Sequence, residues 1–141
     1  MPPIEKVVFN YEQKSSPVFG KVNRPVAKVS IHNRSNNLWT EIWMLVDSGA
    51  DYTILPRYMA KDLGVTLEKD CKVLSTMGVG GYEKVYFLSK LRVKIGKWER
   101  ELPAGFLERS EIPPLMGRHL FLETFDVLLS SKKTISFSNP N

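Results

Sequence analysis

The segment Leu45-Val46-Asp47-Ser48-Gly49-Ala50-Asp51 is the part of this chain best equipped for chemistry. Two apolar residues run into an acid, a hydroxyl residue and a glycine, the pattern of a buried strand that delivers a carboxylate to a cleft. A lone carboxylate in an apolar wall is costly and takes up a proton. Two that face each other share one proton, because like charges about 3 Å apart cannot both ionise. The ionised member can then draw a proton from a water held between them, while the protonated member donates to a carbonyl under attack. No metal, cofactor or side-chain nucleophile is required. The segment occurs once, in a chain of 141 residues, so a second chain must bring the second acid. Asp-Ser-Gly by itself is more often a turn at a strand end than a catalyst. The flanks, Met44-Leu45-Val46 before and Ala50-Asp51 after, make Asp47 a candidate catalytic acid.

The elements around Asp47 follow from periodicity and turn chemistry. Residues 27–31 alternate, with Ala27, Val29 and Ile31 on one face and Lys28 and Ser30 on the other. The polar run Asn33-Arg34-Ser35-Asn36-Asn37 turns the chain, and residues 38–46 return as a strand, a hairpin whose second arm ends on Asp47. Residues 56–63 form the strongest helix pattern, with Pro56 in the first turn and Gly64 just past the end. Residues 72–77 and 82–95 read as strands around a glycine-rich turn, Gly78-Val79-Gly80-Gly81. A further strand follows Gly96-Lys97 over residues 98–106. A loop over 108–114, a short helix through Glu123 and a terminal hairpin of residues 125–129 and 133–137 complete the pattern. Residues 1–20 read as an N-terminal extension, with a β-like run over 4–11 and a loop over 13–17, ahead of a domain over 21–141.

The length fits a single domain. A hydrophobic fraction of 43% with 11% aromatics is that of a chain with a real core, which excludes a disordered polypeptide. No apolar run approaches the roughly 20 residues that span a bilayer, and the first residues lack the pattern of a secretory signal. Cys71 is the only cysteine, so a reducing, cytoplasmic setting is the simplest fit. The net charge of +5 is spread over scattered Lys and Arg, and reads as a solvated basic surface more readily than a nucleic-acid site. His32 and His119 lack the companions of a metal site. Cys71 reads as a packed small side chain, and Trp39, Trp43 and Trp98 as core or interface residues.

Four segments, in order, resemble the retroviral-type (retropepsin-like) aspartic proteases, and the departures resemble the non-viral relatives. These are Asn23-Arg24-Pro25-Val26, the segment 45–51, Met77-Gly78-Val79-Gly80-Gly81-Tyr82, and Leu115-Met116-Gly117-Arg118. The resemblance implies a mainly β, closed, single-lobe acid-protease barrel with one or two short helices. It implies a homodimer in which each subunit contributes one Asp47 and Ser48 interlocks the two loops. Gly49, Ala50 and Asp51 would present groups to a polypeptide substrate, and Met77, Gly78, Val79 and Gly80 would form a flap over it. Arg118 would pair with Asp51 of its own subunit, and Arg24 would reach Asp51 of the partner. The plainer reading of either arginine is a surface side chain of little energetic weight, and that of 78–81 a tight hairpin. Residues 134–137 would either join an intersubunit sheet or pair with 125–129 in their own chain.

The expected activity is aspartic endopeptidase cleavage, with no cofactor, metal or membrane. A catalytically silent dimer that binds peptide or serves as an adaptor is the alternative, and a basic nucleic-acid-binding barrel the more distant one.

Overall fold

The computed structural model describes residues 5–78, 81–109 and 111–140, and within them the chain is mainly β. In order the elements are β1 (Val7–Asn10), β2 (Glu12–Ser16), β3 (Gly20–Arg24), β4 (Val26–His32), β5 (Trp39–Val46), β6 (Thr53–Pro56), α1 (Tyr58–Asp62), α2 (Leu67–Asp70), β7 (Lys72–Gly78), β8 (Gly81–Ile95), β9 (Trp98–Leu107), β10 (Leu115–Met116), a 3₁₀ turn (Leu122–Thr124), β11 (Asp126–Ser130) and β12 (Thr134–Ser138).

A seven-stranded sheet carries the core in the order β4-β5-β10-β6-β9-β8-β7. It curls back on itself, because β4 also pairs with β8 through Ser30↔Lys94 and Ile31↔Val93. Alternation decides which face is buried: Ala27, Val29 and Ile31 are fully enclosed, while their neighbours Lys28 and Ser30 look outward. On β8 the alternation slips between Leu88 and Leu91, both buried, and the ladder to β9 shifts register there. A β-bulge of this kind returns the next apolar set, Val93 and Ile95, to the core face.

A second sheet, β1-β12-β11, joins the first and last strands. Val7 opposes Phe137 and Phe9 opposes Ile135, and on the other side Val127 opposes Phe137. Of the two arrangements open to residues 134–137, pairing within their own chain is the one observed. Aromatic packing ties this sheet to the main one. Trp98, at 2% exposure, stacks on Phe121 at 5.9 Å and meets Phe125 edge-on at 4.7 Å. Phe125 in turn meets Phe137 edge-on at 5.7 Å. Pairs of this geometry contribute about 0.5–1.5 kcal/mol each beyond the area they bury. Trp43 is half exposed, and Trp39 lies beneath Lys94, whose Nζ is 4.3 Å from its ring centroid.

Several elements differ from expectation. The helix begins at Tyr58 instead of Pro56, because Pro56 is the last residue of β6, opposite Leu107. With no amide hydrogen to donate, it ends that ladder. The strand read from residue 4 begins at Val7, and Ile4 lies outside the described residues. The loop read over 13–17 is mostly strand: β2 and β3 form a two-stranded sheet from Glu12↔Arg24 to Ser16↔Gly20. Its turn is braced by the Ser16 hydroxyl, which accepts from the amides of Val18 and Phe19 at 3.2 and 3.1 Å.

Candidate active site

β5 carries Asp47 to the end of a strand that is hydrogen-bonded on both sides. Its last residues run parallel to β10, Leu45 beside Leu115 and Val46 beside Met116. The Leu45 amide donates to Pro114 O at 2.9 Å and the Val46 amide to Pro25 O at 3.0 Å. The Asp47 amide donates to Met116 O at 3.1 Å. The chain then turns within one residue: the Ala50 amide donates to Asp47 O at 3.1 Å, and the Gly49 amide to the Asp47 carboxylate at 3.0 Å. A Cβ on Gly49 would lie 3.2 Å from that same carboxylate oxygen, so the glycine allows the backbone to wrap the acid closely. Asp47 is half-buried while Ser48 and Gly49 are exposed, so the carboxylate stands at the rim of the fold.

The crossing segment locks this turn from behind. The Arg118 amide donates to Ala50 O at 3.0 Å and the His119 amide to Asp51 O at 2.8 Å. The Arg118 guanidinium donates to Ser48 O at 2.6 Å and forms a salt bridge with the Asp51 carboxylate. Both side chains of that pair are largely exposed, so it positions the loop more than it stabilises the fold. Gly117 crosses directly under the chain that leaves the site, where a Cβ would fall 2.2 Å from Tyr52 O. Its amide donates to Oγ1 of the fully buried Thr53 at 3.3 Å.

Sequence reasoning missed Thr53 and Tyr52. The available signal for Thr53 was a hydroxyl residue opening the short apolar run Ile54-Leu55, which is β6. Tyr52 lies against Gly105 and packs its ring on Phe87 at 4.8 Å, which ties the acid-bearing turn to β8. Burial pushes its phenol above the usual tyrosine range, and the nearby carboxylates Asp51 and Glu83 push it further.

The other predicted residues are placed as follows. Asp47, Ser48, Gly49, Ala50, Asp51 and Arg118 form one cluster, joined by the hydrogen bonds above. Met77 stands on the β7–β8 hairpin, opposite Tyr82, with Gly78 opposite Gly81. Met77 and Tyr82 are 71% and 76% exposed, so this hairpin presents an apolar surface that none of the described residues covers. Val79 and Gly80 lie outside the described residues. Arg24 ends β3, and among the described residues it pairs with no carboxylate, Asp51 of its own chain included. The histidine side chains contact near neighbours: His32 Nε2 meets Asn37 Oδ1 at 2.5 Å and its ring meets Trp39 edge-on at 5.4 Å, and His119 Nδ1 is 3.8 Å from Glu123. Among the described residues no helix is long and apolar enough to cross a membrane.

The family model for aspartyl proteases matches residues 27–120, more than half of the chain. The chain belongs to the aspartyl protease family. The chain is also similar in structure to a retropepsin-like aspartic protease from Rickettsia conorii. The TM-score is 0.65 at 21% identity, over 94% of this chain and 98% of that one, a likeness that shows the fold. No curated protein matches the chain. The matched span holds the acid-bearing turn, the β7–β8 hairpin and the crossing glycine, and leaves out β1 to β3 and the terminal hairpin. Family and fold together support aspartic protease activity.

Proposed function

We propose that two copies of this chain associate about a two-fold axis and bring their Asp47 side chains together as one proton-sharing pair. Water held between them attacks the carbonyl carbon of a peptide bond. Its proton passes to the ionised carboxylate while the protonated one donates to the carbonyl oxygen. The newly protonated carboxyl then donates to the amide nitrogen while a hydroxyl of the tetrahedral diol returns its proton to the other carboxylate, so the carbon–nitrogen bond breaks and the pair again holds one proton. Ser48 hydrogen-bonds across the axis, and Arg118 holds Asp51 toward the substrate. Arg24 reaches Asp51 of the partner. The substrate is an extended polypeptide, held as an added strand between Gly49-Ala50-Asp51 and the β7–β8 hairpin acting as a flap. The apolar Met77 surface of that flap favours apolar residues beside the scissile bond.

The observation that carries this reading is the support given to Asp47. Four backbone hydrogen bonds, at residues 45, 46, 47 and 50, hold a turn whose single acid points to the edge of the fold. Support of this kind holds a side chain in one place, as a paired reacting acid requires. The test is cleavage of a peptide library across pH, combined with titration by a pepstatin-type inhibitor. A bell-shaped profile with an acidic optimum is expected, as paired acids titrate together, with full inhibition at one inhibitor per two chains. Activity that climbs steadily into alkaline pH, or full inhibition only at one inhibitor per chain, contradicts the reading.

A further inference from the structure

The β2–β3 hairpin has no evident role within its own chain. Among the described residues, β2 and β3 pair only with each other. Their residues are exposed or partly exposed on both faces, and an isolated two-stranded hairpin is marginal in water. Yet its base is pinned at both ends. The Tyr11 amide donates to Lys133 O at 2.9 Å, and Pro25 O accepts from the Val46 amide at 3.0 Å, one residue before Asp47. Its tip is apolar and bare, with Val18 77% and Phe19 79% exposed.

A matching surface lies at the other side of Pro25. An open groove of about 320 Å³ runs beside Ser48, walled by Val46, Leu122, Phe125, Val127 and Leu129. Leu129 is 55% exposed. It sits on β11, an outer strand of the β1-β12-β11 sheet. The hairpin cannot fill its own groove. Val18 and Phe19 are absent from its lining and stand free of their own chain, and Gly20 is four residues from Arg24 along a paired strand, an arm roughly 13 Å long. The arm carries Lys14, Lys21 and Arg24 against Glu12, and Glu123 lines the groove together with Arg118.

We propose that this hairpin is a clasp: each copy inserts Val18 and Phe19 into the Val46–Phe125–Leu129 groove of a second copy of the same chain. The exchange is reciprocal, as a two-fold interface requires. It rests on the dimeric reading above and adds to it the surface that holds the dimer. The groove adjoins Ser48, so clasping seats the partner directly beside the acid-bearing turn.

The experiment compares wild type with Val18→Asp/Phe19→Asp by sedimentation and by activity against dilution. Both residues are exposed, so the variant should keep its circular dichroism and melting temperature. Its dimer dissociation constant should rise at least ten-fold, with activity per dimer recovering at high protein concentration. A second variant, Phe19→Cys/Leu129→Cys in a Cys71→Ser background, should form a disulfide-linked dimer under mild oxidant. An unchanged dissociation constant, or a disulfide closed within one chain, overturns the clasp and leaves the protease reading standing. A wild-type chain that stays monomeric and inactive at every concentration overturns both.

Discussion

The acid-bearing turn and the β7–β8 hairpin both rely on glycine, but the chain holds them in opposite ways. Around Asp47 the support comes from distant segments: Pro25, Pro114, Met116 and Arg118 all hydrogen-bond to the turn or to the strand entering it. The β7 arm is held by its own register with β8, from Lys72↔Phe87 to Gly78↔Gly81, and forms the outer strand of the main sheet. Exposed Val73, Leu74, Met77 and Tyr82 leave it few buried apolar contacts. Regions of this kind open at low free-energy cost, whereas a turn cross-linked to the core moves only when the core does. In the proposed mechanism the reacting acid needs the cross-linked support, and a hairpin that admits a polypeptide needs the looser one.

Substitutions can break or sharpen this contrast. The largest effect is expected from Asp47→Asn, which keeps an oxygen to accept from the Gly49 amide but removes the acid. Turnover should fall by at least about 10³-fold, within the range of general acid–base catalysis. Fold and association state, checked by circular dichroism and sedimentation, should be unchanged, and retained turnover would refute the mechanism. Gly117→Ala should come next. Its Cβ would meet the backbone of Tyr52 at 2.2 Å, and relieving that overlap should cost about 3 kcal/mol in urea unfolding, with activity lost in parallel. Thr53→Val keeps the shape but leaves the buried Gly117 amide without its acceptor, a loss of about 1–3 kcal/mol by the same measurement. Met77→Ser should show the other behaviour: stability within about 0.5 kcal/mol of wild type, and a several-fold higher KM for apolar peptides. If Met77→Ser lowered stability as much as Thr53→Val, the two regions would not differ as described.

Much of the main sheet was legible because strands such as β4 and β8 keep one face dry. Ala27, Val29 and Ile31 announce β4, and Leu91, Val93 and Ile95 the second half of β8. The acid-bearing turn was legible from local residue types. What escaped was short, polar or non-local. β2 has the sequence Glu-Gln-Lys-Ser-Ser, which carries no period-two signal because neither face is covered within its chain. β6 spans four residues and α2 a single turn, too little for periodicity to register. The Thr53 hydroxyl gains its importance from Gly117, 64 residues later, and no local pattern encodes such a pairing. Membership of the family rests on the matched span, whereas the β2–β3 arm falls outside it and had to be read from geometry.

The central position of β12, flanked by β1 and β11, has a consequence for biosynthesis. Val7 and Phe9 find their partners only when Phe137 and Ile135 arrive, so a nascent polypeptide leaving the ribosome carries β1 unpaired until β12 has emerged. Such long-range closure is slow. The unsealed intermediate exposes strand edges that chaperones or neighbouring nascent chains would find first.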